Sequence, residues 1–164
     1  VVTKTDSEKK SRIIEIGGDM PYRVKLIERD YMIMTYQETL QLMKAYRAAV
    51  RIAIKDLGLG QYNIHLHVCD SFPQVVGCAA DCSIITINLC NCTDIKDGVD
   101  AVFHELRHVW QIFNSKLLRD YPETSIFCSD DEWAAYRKHP AEVDARRWAK
   151  KACKQYINRI MEEL

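Results

Sequence analysis

The stretch Val99-Asp100-Ala101-Val102-Phe103-His104-Glu105-Leu106-Arg107-His108-Val109-Trp110-Gln111-Ile112-Phe113-Asn114 decides how this chain is read. Val102, Leu106, Val109 and Phe113 recur every three or four residues, the spacing of a helix with one apolar face. His104 and His108 stand four residues apart within it. Four residues is slightly more than one turn, so both imidazoles leave the same face about 6 Å apart along the axis. Zn–N bonds of roughly 2.0–2.1 Å let two such rings grip one ion. Glu105 lies about 100° around the helix from His104, beside the ligands and not among them. A carboxylate there can take a proton from the water that the metal activates. Chance alone places two His and a Glu at this spacing on the order of once in a few hundred chains of this length, so a metal site is the expectation.

Two His and a water do not complete a tetrahedral site, so a third protein ligand is required. Pro140-Ala141-Glu142-Val143-Asp144-Ala145-Arg146-Arg147-Trp148-Ala149 supplies one. Pro140 suits the first turn of a long final helix reaching Glu163. Helical spacing groups Glu142 with Ala145 and Ala149, and those small residues allow a close approach to the motif helix. Asp144 points about 200° away from Glu142, so only one of the two can face the metal, and Glu142 is preferred. A carboxylate in a first helical turn is also stabilised by the helix dipole, so Glu142 owes its assignment to its partnership with His104 and His108.

Working outward, Ile13 to Ile16 and Tyr22 to Ile27 read as short extended segments around Gly17-Gly18. Thr35-Tyr36-Gln37-Glu38 has capping-box form and opens a helix running to about Leu57, closed by Gly58. Met43, Tyr46, Val50, Ala53 and Leu57 form its core-facing stripe. Tyr62 to Val68 alternates, with Ile64, Leu66 and Val68 opposite Asn63, His65 and His67, as a half-buried strand does. Ser83 to Leu89 alternates too. A polar turn at Asp94 to Gly98 leads into the motif helix from Val99. A loop from Lys116 to Ser129 precedes a short helical stretch at Asp131 to Arg137. This order predicts one α+β domain over residues 13–164 after a flexible tail at 1–12, with a small, mostly antiparallel sheet packed on three main helices.

His104 to His108, followed by Glu142-x-x-Ala145-x-x-Trp148-Ala149, resembles the gluzincin arrangement of ImmA/IrrE-type and similar small zinc peptidases of phages and mobile elements. The resemblance covers roughly Ser83 to Ala149. It implies a minimal zincin-like domain in which His104, His108 and Glu142 bind zinc and Glu105 is the general base. Peptide-bond hydrolysis is the activity it implies, with a protein or peptide as substrate. Tyr136 and His139, just before the Glu142 helix, are the nearest candidates in sequence for the oxyanion donor, with Tyr121 a weaker one. Ser83 to Asn88, through Ile84, Thr86 and Asn88, is the candidate edge for an extended peptide bound by strand addition. A non-catalytic, metal-braced binding module and a metal-dependent hydrolase of a non-peptide substrate are the alternatives.

The 164 residues are 48% hydrophobic and 28% charged, the balance of one soluble globular domain. Lys plus Arg and Asp plus Glu number 23 each, and this zero net charge gives no reason to expect nucleic acid or an anionic membrane as partner. No apolar run reaches the roughly 20 residues needed to span a bilayer. Val1 to Arg12 is polar and unlike a signal peptide, although a leader cleaved before Val1 stays open. Seven cysteines, an odd and scattered number, favour reduced thiols and a cytoplasmic setting. Cys78, Cys82, Cys90 and Cys92 could make a second zinc site or a pair of disulfides, but they lack the spacing of a common zinc ribbon and read as small buried or loop thiols; Cys69 lies just beyond a strand, and Cys128 and Cys153 are isolated. The Arg146-Arg147 and Lys150-Lys151 run, with Lys154 and Arg159, reads as a solvated helix face.

Overall fold

The computed structural model describes residues 13–16, 22–27, 36–62, 64–69, 84–88, 94–118 and 129–164. In chain order these form β1 (Ile13–Ile16), β2 (Tyr22–Ile27), α1 (Tyr36–Leu57), β3 (Ile64–Cys69), β4 (Ile84–Asn88), α2 (Ile95–Asn114), α3 (Asp130–Lys138) and α4 (Pro140–Glu162). The tail at 1–12, the Gly17-Gly18 turn, the Thr35 cap, Tyr121 and Cys78, Cys82, Cys90, Cys92 and Cys128 lie outside the described residues.

The core is helical. Along α1, Met43, Tyr46, Ala49, Val50 and Ala53 are buried and face α2, whose inner stripe is Val99, Val102, Phe103, Leu106 and Val109. Removing side chains such as Phe103 and Leu106 from water stabilises the fold by roughly 1.5–3 kcal/mol each. α1 stops where Gly58 takes φ +66°, the left-handed conformation that glycine adopts without steric penalty. There the Leu59 N–H donates to the Ile54 carbonyl (2.8 Å) and the Gly58 N–H to the Lys55 carbonyl (3.3 Å), closing the last turn and returning Leu59 to the core.

α2 begins a turn earlier than the sequence predicts. Asp94 caps it, its Oδ1 accepting from the Asp97 N–H at 2.8 Å. Gly98 therefore lies inside the helix, where it costs about 1 kcal/mol of propensity relative to Ala and hides the first turn from a sequence reading. Its place is explained by Tyr46: a Cβ at Gly98 would collide with the Tyr46 ring and hydroxyl, so the missing side chain sets the closeness of α1 and α2.

α4 runs antiparallel to α2, since Phe103 meets Trp148 edge-on (5.8 Å, 90°) while Gln111 reaches Ala141. Ala141, Ala145 and Ala149 are fully buried, so the two backbones approach closely. Between them α3 is short and buries no residue; it opens on a capping box in which Ser129 and Glu132 satisfy each other's backbone N–H.

The expectation of an α+β domain with a mostly antiparallel sheet is overturned. Helices of 22, 20, 9 and 23 residues dominate the described chain, and helix against helix makes its core. The short strands, in order β1-β2-β3-β4, pair antiparallel only between β1 and β2; β2 with β3 and β3 with β4 are parallel. Alternation shows that a segment is extended but says nothing of its partner's direction. The 22-residue α1 between β2 and β3 is long enough for the crossover that a parallel pair requires. Ile64 and Leu66 of β3 are fully buried and join the helical core. No helix among the described residues is long and apolar enough to cross a membrane.

Candidate metal centre

The α2–α4 contact brings His104, His108 and Glu142 together. His108 Nε2 lies 3.0 Å from His104 Nε2 and 2.9 Å from Glu142 Oε1, and His104 Nε2 lies 3.4 Å from Glu142 Oε2. Bonds of roughly 2.0–2.1 Å in a tetrahedral site would hold ligand atoms about 3.3 Å apart, so the three donors already fit one small cation. The imidazoles are nearly perpendicular (81°), so their Nε2 atoms converge without the rings stacking. His108 and Glu142 are buried and His104 is partly open, leaving an approach from one side.

Gln111, one turn beyond His108, prepares it. Gln111 Nε2 donates to the Ala141 carbonyl (2.9 Å) and to Asp144 Oδ2 (2.8 Å), two groups that only accept. The amide is thereby oriented, and its Oε1 faces His108 Nδ1 at 2.8 Å. That oxygen accepts only, so Nδ1 carries a proton; without an ion Nε2 donates its own proton to Glu142 Oε1, and once that proton is lost the Nε2 lone pair would face an ion shared with His104 and Glu142. Asp144 in turn takes two hydrogen bonds from Arg107, from Nε at 2.8 Å and Nη2 at 3.3 Å. The Arg107 guanidinium lies over the Trp110 ring at 3.9 Å. Asp144, the rejected ligand candidate, is thus an anchor between the two helices. Burial works to raise its pKa, but the hydrogen bonds from Arg107 and Gln111 prevail and hold it below the ordinary carboxyl value.

Glu105 is buried beside the group, its Oε1 3.8 Å from His104 Nε2. Burial raises its pKa; the neighbouring His104 and His108 oppose that and Glu142 adds to it, with a net upward shift. A carboxylate of raised pKa is a stronger base when ionised. For His108 burial works downward, but the hydrogen bond to Glu142 and the charges of Glu105 and Glu142 outweigh it, so its pKa lies above the usual histidine value.

Tyr136 lies on α3 with its ring stacked on Trp133 (5.1 Å, 3°). His139 is the N-cap of α4, its Nδ1 accepting from the Ala141 N–H at 3.2 Å, which puts the proton of the neutral ring on Nε2. Ile84, Thr86 and Asn88 stand on β4, opposite His65, His67 and Cys69 of β3, and β4 is the last strand of the sheet among the described residues. Cys153, one of the cysteines weighed from the sequence, is a buried free thiol whose pKa is pushed up by burial.

Sequence alone does not point to Gln111, Arg107 or the anchoring role of Asp144. The one signal available was the three-residue spacing from His108 to Gln111 on the same helix face. Comparison with models of known families, with curated proteins and with solved structures gave no match.

Proposed function

We propose that this protein is a zinc-dependent endopeptidase of gluzincin type. The observation that carries the reading is the convergence of two imidazole nitrogens and one carboxylate, with a second buried carboxylate, Glu105, beside them. The donor set suits zinc, which takes His nitrogen and carboxylate oxygen in catalytic sites of three protein ligands. His104, His108 and Glu142 would hold the ion, which supplies acidification of a water and polarisation of the scissile carbonyl. Glu105 removes the proton from the attacking water and hands it to the leaving amine. Tyr136 and His139 are the candidate donors for the developing oxyanion. An extended substrate would lie along β4, at Ile84, Thr86 and Asn88, by strand addition to the last strand of the described sheet.

A purely structural metal has no need of a buried carboxylate next to its ligands, which favours catalysis over a metal-braced binding module. A cytoplasmic setting belongs to the same reading and rests on the odd, scattered set of seven cysteines. Glu105→Gln tests the reading. The variant should retain metal and lose peptide hydrolysis by roughly a hundredfold or more, the scale of a lost general base. Equal hydrolysis by the variant and the wild type would reject it.

A further inference from the structure

Beyond the metal ligands, α2 and α4 continue as two facing stripes. His108, His104, Asp100 and Lys96 follow one another at intervals of four on α2, as Glu142, Arg146, Lys150 and Lys154 do on α4. Residues four apart are neighbours on a helix surface, and because the helices are antiparallel both stripes leave the metal centre in the same direction. A cavity of about 650 Å³ opens between them. Its charged lining is Lys96, Asp97, Asp100, Arg146, Lys150 and Lys154, four cations against two carboxylates.

Lys150 and Lys96 act attractively on Asp100 and Asp97 acts against it, while four cations face two carboxylates across the lining. Arg146 is held in place by donating to the Glu142 carbonyl (3.2 Å) and to the Arg137 carbonyl, both neutral acceptors. The lining thus carries more positive than negative charge, and its α4 cations Arg146, Lys150 and Lys154 lie about one, two and three turns from Glu142. A polyanion would meet both wall carboxylates, whereas a single carboxylate can lie against the cations alone.

We infer that this cavity is a subsite of the same centre that takes an acidic side chain of the substrate. The inference rests on the peptidase reading for its placement. One to three helical turns, set against the rise of an extended peptide, put that side chain about two to five residues from the scissile bond.

The test is fluorescence polarisation with three labelled decapeptides, rich in Glu, in Gln or in Lys. They are titrated into zinc-loaded Glu105→Gln protein, which cannot turn them over, and into the same protein carrying Lys150→Glu and Lys154→Glu. Both lysines are exposed, and a thermal melt checks that the variant is folded. The Glu peptide should bind on the order of tenfold more tightly than the Gln peptide, less so at high salt, and the order of Glu and Lys peptides should invert in the charge-reversed protein. Equal affinities, an unchanged order after charge reversal, or no binding of any peptide would overturn the subsite. Charge-selective binding by a protein whose wild type cleaves nothing would remove the peptidase reading and leave the acidic-peptide subsite standing.

Discussion

Gln111 fixes the tautomer of His108: its Oε1 faces His108 Nδ1 at 2.8 Å while its Nε2 is committed to the Ala141 carbonyl and to Asp144. One amide thus sets the direction of a ligand lone pair and also ties α2 to α4. Gln111→Leu keeps the bulk and removes both functions. Zinc affinity should fall by about 10- to 100-fold, the usual effect of losing the partner of a ligating histidine. Competition with a chromophoric chelator measures it, and an unchanged affinity would show that the His108 ring is oriented by packing alone.

Metal uptake should release a proton wherever the metal-free His108 ring is still charged. In the metal-free protein burial disfavours the charged His108 ring, but the hydrogen bond to Glu142 and the nearby carboxylates prevail and its pKa is raised. Zinc needs the neutral ring, so affinity falls as pH drops through that raised value. The linkage has a matching sign for the metal-free fold. A raised histidine pKa contributes stability that is fully present below the unfolded value and lost as pH rises through the folded one. Calorimetric zinc titrations in two buffers of different ionisation enthalpy count the protons released, and the same heat in both buffers would contradict the expectation.

Asp144 has the opposite linkage. Burial raises its pKa, but Arg107 and Gln111 together bring it below the ordinary value. Its contribution is present above the unfolded carboxyl pKa and lost as pH falls through the folded one. Asp144→Asn should therefore flatten the acid limb of stability against pH without changing zinc stoichiometry. Denaturant melts between neutrality and the acid range read this, and an acid limb identical to wild type would count against it.

Gly98→Ala should destabilise the protein by about 1–2 kcal/mol, because overpacking against buried Tyr46 outweighs the gain in helix propensity. Chemical denaturation gives the number. A variant as stable as wild type would mean that the Tyr46 ring moves aside at little cost.

What could be read from the chain followed helical periodicity. His104, His108 and Glu142 are legible because a four-residue interval and a small-residue face are properties of single helices. The Gln111–Asp144–Arg107 chain joins two helices, and no spacing in one segment reports on it. Strand direction at β2, β3 and β4 was equally hidden, because alternation is the same whichever way the neighbour runs. Gly98 misplaced the start of α2, because its helical cost is local while its reason, Tyr46, lies on another helix.

The central claim is that His104, His108 and Glu142 hold one zinc ion while Asp144 does not. Elemental analysis of purified wild type, Glu142→Ala and Asp144→Ala, each dialysed against zinc and then buffer, measures it directly. The account predicts about one equivalent of zinc in wild type and in Asp144→Ala, and little in Glu142→Ala. Zinc lost from Asp144→Ala but retained by Glu142→Ala, or absent from wild type, would contradict it.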